Sequence, residues 1–233
     1  MIENRNKTLQ KPLLALETAT PACSVALRLP DGKTIEKRST GIGVHSEDVF
    51  VFIKALLNEH ALGVSDLSAV LVSSGPGSYT GLRVASSAVK GLLFQTRIPL
   101  YAYNTLGAIA WAVRCKGFPE ISGCDAVIDA RRNHVYAQSW ELCSDGIHPL
   151  TTVRLSELDE VSRKIREGVV VAGTGLDRLR MEKRSKMSTF PPEEVISAQH
   201  ILHAFEVFKE ETLSQWVEEV RPDLFEPSYY TGL

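Results

Sequence analysis

The amino-acid sequence predicts an α/β fold of two lobes, each a mixed sheet with helices, and three observations carry that prediction. The first part of the chain reads in the order strand, strand, strand, helix, strand, helix, and the later part repeats this order loosely, as topology and not as a sequence repeat. Between them in importance stands the run Gly75-Pro76-Gly77-Ser78-Tyr79-Thr80-Gly81, which joins a short apolar strand to a helix rich in small residues. A chain of 233 residues with 44% hydrophobic and 23% charged side chains has material for a sizeable core in one or two domains.

Taken in order, apolar runs at 13–16 and 24–29 predict the first two strands, and a third at 33–37 follows across Pro30-Asp31-Gly32, which supplies hairpin-turn chemistry. A helix is predicted over 46–59, where Val49, Phe50, Ile53, Leu56 and Leu57 recur at helical spacing and acidic residues fill the first turn, complementing the helix dipole. A strand at 69–73 and a helix over 80–95 complete the first pattern. One more strand at 99–103 and a helix over 105–115 place the lobe boundary near Asn104, giving an N-terminal lobe, 1–104, and a C-terminal lobe, 105–233. In the second lobe strands are predicted at 125–128, 135–141 and 148–153, then a helix over 157–166 and a strand at 169–172. Residues 178–192 are basic and then proline-rich, which reads as an exposed loop or weak helix, and a last helix is predicted over 198–220. That helix and the tail after it are expected to pack back on the first lobe.

Charge and cysteine usage exclude several function classes. Lys and Arg number 26 against 28 Asp and Glu, a formal net charge of −2, so no bulk positive field would draw the chain onto nucleic acid by itself. The polar start, 1–11, lacks the apolar centre of a signal peptide and no stretch approaches a membrane span, so a cytoplasmic location and no membrane association are expected. Cys23, Cys115, Cys124 and Cys143 form no C-x-x-C pair, so no metal site is signalled and free reduced thiols are expected.

The glycine run permits unusual backbone angles and close approach to a neighbour, with Ser78 or Thr80 placed to cap the next helix. It reads either as an anion-binding turn or as a tight turn that brings a helix against a sheet. A P-loop is excluded by the missing Gly-Lys-Ser/Thr ending, and Gly77-Ser78-Tyr79-Thr80-Gly81 does not fit the Gly-x-Ser-x-Gly elbow of a serine hydrolase.

Read with Leu14-Ala15-Leu16-Glu17-Thr18-Ala19-Thr20, with His45-Ser46-Glu47 at a helix start, and with Asp129-Ala130-Arg131-Arg132, the glycine run resembles the TsaB (YeaZ) family in order and spacing, from about residue 13 to about residue 230. The resemblance implies the two-lobed actin-like ATPase (ASKHA) fold. It also implies a role beside the transferase TsaD in forming N6-threonylcarbamoyladenosine in tRNAs that read codons beginning with A. Further implied are a transient TsaE-type ATPase partner, a homodimer when the chain is alone, and contact with tRNA only through the complex. In active members of the superfamily the first hairpin holds ATP phosphates with an Asp-x-Gly pattern, whereas this sequence reads Glu17, Thr18 and Ala19 there. Glu17 is either an orienter of a magnesium-bound water or a capping carboxylate, and Glu17, Thr18, Gly75, Gly77 and Ser78 are the candidates for a vestigial nucleotide or phosphate site. Where TsaD carries two metal-binding histidines four residues apart, this sequence has Thr105 and Ile109, which cannot replace imidazoles. No catalytic residue and no cofactor are therefore expected, apart from ATP or ADP at a partner interface. The alternative is an autonomous ATPase or small-molecule kinase of the same fold.

The candidate interface is the pair of helices that the resemblance assigns to partner binding. Val49, Phe50, Val51, Phe52 and Ile53 are more consecutive apolar residues than one core-facing stripe buries, and Gly81, Ala85, Ala88 and Leu92 form a low surface at helical spacing. Val49, Phe50, Phe52, Ile53, Gly81, Ala85, Ala88 and Leu92 are accordingly the expected contacts. Asp129, Arg131 and Arg132 read either as a structural set, with Asp129 pairing an arginine to fix a hairpin, or as arginines that touch tRNA phosphate or the partner; the structural reading is favoured, and Glu226 argues against a cationic C-terminal tail.

Overall fold

The computed structural model describes residues 11–41, 45–117, 119–163, 168–179, 189–190, 192–207 and 210–230. The expected loop at 178–192 falls largely outside these residues, as do the first ten residues of the polar start.

The fold grows from β1 (Leu13–Glu17), whose five residues are all buried, so both of its faces must be covered. It pairs antiparallel with β2 (Ala22–Arg28), which pairs antiparallel with β3 (Thr34–Thr40), and Leu13 stands opposite Arg28 while Ala22 stands opposite Thr40. On its other side β1 runs parallel to β4 (Ala69–Gly75), reached through helix α1 (His45–Glu59). Helix α2 (Tyr79–Leu92) then crosses to β5 (Leu100–Asn104), parallel to β4. The outer strand β3 is half exposed, and its Lys37 pairs with Glu59 of α1 at 2.9 Å, so charge guards that edge against strand addition.

After β5, helix α3 (Thr105–Cys115) leads to β6 (Gly123–Asp129) and the long β7 (His134–Cys143), which turns tightly into β8 (Gly146–Pro149). Strand β9 (Arg154–Glu157) also pairs with β7, and α4 (Leu158–Arg163), β10 (Val169–Ala172) and the short β11 (Thr189–Phe190) follow. Of the expected strand at 148–153 only His148 and Pro149 are strand, the end of β8, and 150–153 form the connection to β9. The second sheet has the order β11-β10-β6-β7-β8.

The predicted single helix over 198–220 is instead α6 (Ala198–Val207), α7 (Glu210–Leu213) and strand β12 (Val217–Val220), with α5 (Pro192–Val195) before them. Val217 and Val220 flank two exposed glutamates at a spacing of three, which shares one face of a helix but takes opposite faces of a strand; pairing with β5 makes the segment a strand, and the two valines pack into different apolar clusters. The first sheet therefore reads β12-β5-β4-β1-β2-β3. The tail then runs along α2: Phe225 is buried, Ser86 Oγ donates to the Phe225 carbonyl at 3.2 Å, and Lys90 pairs with Glu226 at 2.5 Å.

Helix α3 holds the two sheets together. It is apolar on all sides, nine of its residues are buried, and Asn104 caps it by accepting from the N–H groups of Leu106 and Gly107 at 2.8 and 3.4 Å. Its side chains share one apolar cluster with Leu13, Ala15 and Leu71 of the first sheet and Ala126, Ile128 and Trp140 of the second. A Cβ at Gly107 would lie 2.9 Å from the Trp216 ring and 3.0 Å from Trp140, so a glycine is needed where the helix passes between two indoles.

Candidate functional site: the interlobe cleft and the outer helix face

A cleft of about 670 Å³ opens between the sheets, bounded by the β1–β2 turn at Ala19 and Thr20, the glycine run at Gly77 to Thr80, and Asp129, Tyr136 and Thr174 of the second lobe. Its geometry is set by a contact between the turn and the run. The Ser78 N–H donates to the Ala19 carbonyl at 2.6 Å, and a Cβ on Gly77 would stand 2.1 Å from that same oxygen. A Cβ on Gly81 would lie 1.9 Å from the Thr18 carbonyl, while Thr18 Oγ1 donates to the Gly81 carbonyl at 2.8 Å. Ser78 caps α2, its hydroxyl accepting from the Gly81 N–H at 3.2 Å. The glycines thus serve close approach of helix α2 to the first hairpin. Protein backbone occupies the gap between the hairpin apex and the run.

Of the five residues expected at a vestigial phosphate site, Gly77 and Ser78 line the cleft, whereas Glu17, Thr18 and Gly75 are buried away from it. Gly75, at φ 104°, makes room for the tail: a Cβ there would meet the Ser228 carbonyl at 2.8 Å, and the Ser228 N–H donates to the Ser74 carbonyl at 2.8 Å. Glu17 points inward. Its Oε1 accepts from the Ala19 N–H at 2.7 Å and its Oε2 lies 3.0 Å from the Tyr103 hydroxyl, which is itself 2.8 Å from the Leu16 carbonyl. Burial pushes the Glu17 carboxyl up from 4.5 to about 7, outweighing the opposing hydrogen bonds from Ala19 and Tyr103. Such a group caps the end of β1, as one of the two readings of Glu17 had it, and presents no carboxylate to the cleft. Thr105 and Ile109, each about 1% exposed, are given over to core packing.

Asp129 fixes the second hairpin, as the structural reading of this segment had it. Its Oδ1 accepts from the Arg131 N–H and from Arg178 Nη1, both at 2.8 Å, and Arg178 Nη2 donates to the Arg132 carbonyl. Arg131 and Arg132 occupy left-handed backbone, at φ 69° and 52°, with exposed side chains. Among the cleft residues to which the sequence reading gave no role are Thr20, Tyr136 and Thr174. Thr20 lies in the β1–β2 turn, Tyr136 near the start of β7 and Thr174 just after β10, and only the meeting of the two lobes brings them together.

The two helices of the candidate interface divide differently from the expected pattern. Val49 and Ile53 of α1, and Gly81, Ala85 and Ala88 of α2, are buried within the chain, because the small-residue stripe lets α2 sit close against α1 and the sheet beneath. What remains outward on α1 is Phe50 and Val51, 53% and 59% exposed, with Phe52 and, on α2, Leu92 half-buried. His45, Ser46 and Glu47 open α1, but their side chains lie outside the described residues.

A family model described as TsaD, tRNA N6-adenosine threonylcarbamoyltransferase, matches residues 38–195. The protein designated "tRNA threonylcarbamoyladenosine biosynthesis protein TsaB" from Haemophilus influenzae is 36% identical over 124 residues, 53% of this chain and 51% of the relative. The protein of the same name from Escherichia coli is 31% identical over 136 residues, 58% of this chain and 57% of the relative. The chain belongs to this family, among its TsaB (YeaZ) members. Its matches span only about half the length of these curated TsaB relatives. The solved structure of YeaZ from Pseudomonas aeruginosa superposes with a TM-score of 0.78 over 94% of this chain and 99% of that one, at 24% identity, which shows that the two share a fold. Among the described residues of this TsaB-family chain, no helix is long and apolar enough to cross a membrane.

Proposed function

We propose that the chain acts in the formation of N6-threonylcarbamoyladenosine in tRNA as a non-catalytic subunit that binds a TsaD-like transferase and holds it in an active arrangement. The observation that carries this reading is the pair Phe50 and Val51, more than half exposed side by side on a helix whose inner face is already packed. Covering them with a partner gives association a hydrophobic source that does not depend on net charge. The same face serves a homodimer when the partner is absent, so the two complexes compete. The transferase supplies the chemistry, moving threonylcarbamoyl from its adenylate to adenosine, and a TsaE-like ATPase joins transiently. With a net charge of −2, the chain meets tRNA through the complex. The non-catalytic part of the reading is supported by the inward-turned Glu17, by the occupied gap beside Ala19, and by Thr105 and Ile109 sitting in the core.

The test is the double variant Phe50→Asp with Val51→Asp, which changes only outward positions. It is expected to keep the fold, to remain monomeric in sedimentation, to lose binding to the TsaD-like protein, and to restore no modified tRNA in cells lacking the wild-type chain. Undiminished binding by this variant would refute the assignment of the face. Turnover of ATP by the purified wild-type chain, abolished by Thr20→Ala or Thr174→Ala in the cleft, would instead support the ATPase or kinase reading.

A further inference from the structure

We propose that Cys143, Asp145 and His148 form a binding site for a divalent transition metal ion of the zinc class, on the hairpin between β7 and β8. The register of this hairpin creates the site. Leu142 stands opposite Ile147 and both turn to the core, Ile147 being wholly buried. Side chains alternate across a strand, so Cys143 and His148 project from the other face, and so does Glu141, directly opposite His148. Asp145 belongs to the two-residue turn between Cys143 and its partner Gly146, whose φ of 148° the tight turn requires. One ligand atom from each of Cys143, Asp145 and His148 lies within 4.8 Å of the other two, a spread that a single ion can draw together.

A second contact orients the imidazole. His148 Nδ1 lies 3.2 Å from Oε1 of Gln215, in the connection before β12. With Nδ1 as donor to this amide oxygen, Nε2 is the nitrogen that faces the cluster, 3.3 Å from Asp145 Oδ1. This is the arrangement in which a ligand histidine is held by a hydrogen bond at its far nitrogen. A thiol, an imidazole and one carboxylate select the borderline and soft divalent ions over calcium or magnesium, which take oxygen donors. Binding forms bonds from Sγ, Nε2 and a carboxylate oxygen to the ion. The thiol proton, and any proton on Nε2, passes to the buffer. Three protein ligands leave one tetrahedral position for water. The spacing Cys-x-Asp-x-x-His matches no C-x-x-C pattern, and the tight turn with its cross-strand register assembles it.

The experiment titrates the full, untagged, metal-free chain at neutral pH with cobalt(II) and then zinc(II). One cobalt per chain is expected, with a thiolate-to-cobalt charge-transfer band that zinc abolishes by displacement. Cys143→Ser should remove the band, His148→Ala should weaken binding at least tenfold, and Gln215→Ala should weaken it by about tenfold, the scale of lost second-sphere support. Cys115→Ser is the control, because Cys115 Sγ lies 3.6 Å from His203 Nδ1 and is the competing thiol–imidazole pair. A wild-type chain that shows no thiolate band overturns the proposal, as does a band that survives Cys143→Ser or disappears with Cys115→Ser. Should Cys143→Ser fail to fold, wild-type stoichiometry together with His148→Ala and Cys115→Ser decides the matter.

Discussion

Replacing Glu17 with glutamine tests the inward-facing carboxyl directly. In the folded chain burial raises this group from 4.5 to about 7, whereas the unfolded chain returns it to the ordinary value. Between those two pH values the folded state binds more protons than the unfolded one, so stability falls as pH rises. The contribution is fully present below about 4.5 and is lost by the time pH has passed about 7. At 1.36 kcal/mol per unit this separation amounts to about 3 kcal/mol, a large fraction of the stability of a small protein. The substitution Glu17→Gln keeps the geometry, since the new amide oxygen can accept from the Ala19 N–H and the amide nitrogen can donate to the Tyr103 hydroxyl, but the side chain cannot ionise. Urea unfolding of both proteins at a series of pH values is therefore expected to give similar stabilities near pH 4.5. The variant should gain up to about 3 kcal/mol over the wild type by about pH 8, with unchanged denaturant slope. A stability difference that stays flat across that window would show that Glu17 titrates as an ordinary surface carboxylate and would refute its burial as described.

The remaining predictions concern the helices and the glycine run. Ala88→Arg places a long cation where Ala88 is wholly buried, so it should unfold the chain or lower its stability by more than about 3 kcal/mol, as an unpaired buried charge does, rather than merely split a dimer; a folded monomer of wild-type stability, read by circular dichroism and urea midpoint, would be the contrary result. Gly77→Ala must displace the β1–β2 turn, since the new Cβ would meet the Ala19 carbonyl oxygen at 2.1 Å, and roughly 3 kcal/mol of destabilisation is expected at the upper end of overpacking. A midpoint shift in urea within error of zero would show that the turn and run are not in the close contact described.

The order of elements along the first lobe, from β1 to β5, could be read from the sequence because its signals are local. Leu13 to Leu16 form an unbroken apolar run, Asp31-Gly32 marks a turn, and Ser78 sits one residue before α2 where its hydroxyl reaches the Gly81 N–H. Facing direction was harder. Gly81, Ala85 and Ala88 advertise a low surface whether that surface meets another protein or the chain's own α1, and only the tertiary packing shows that it is internal. The end of the chain misled for a related reason, since Val217 and Val220 are spaced as on one face of a helix, whereas pairing with the edge of β5 makes a strand that turns them to opposite faces. Glu17 illustrates the limit at the site itself. A carboxylate at a strand end is the same letter whether it looks into the cleft or back toward Tyr103, and its direction follows from the Ala19 N–H that caps it.

The apolar cluster around α3 draws on both sheets, and Asn104 Nδ2 adds a 2.8 Å hydrogen bond to Gln138 Oε1 across the junction. Swinging the lobes apart would therefore expose Leu13, Ile128 and Trp140 to water rather than bend a linker. A protein built this way has no easy hinge. The partner proposed for α1 would then meet a shape fixed at folding, so its association would not have to freeze an interlobe motion.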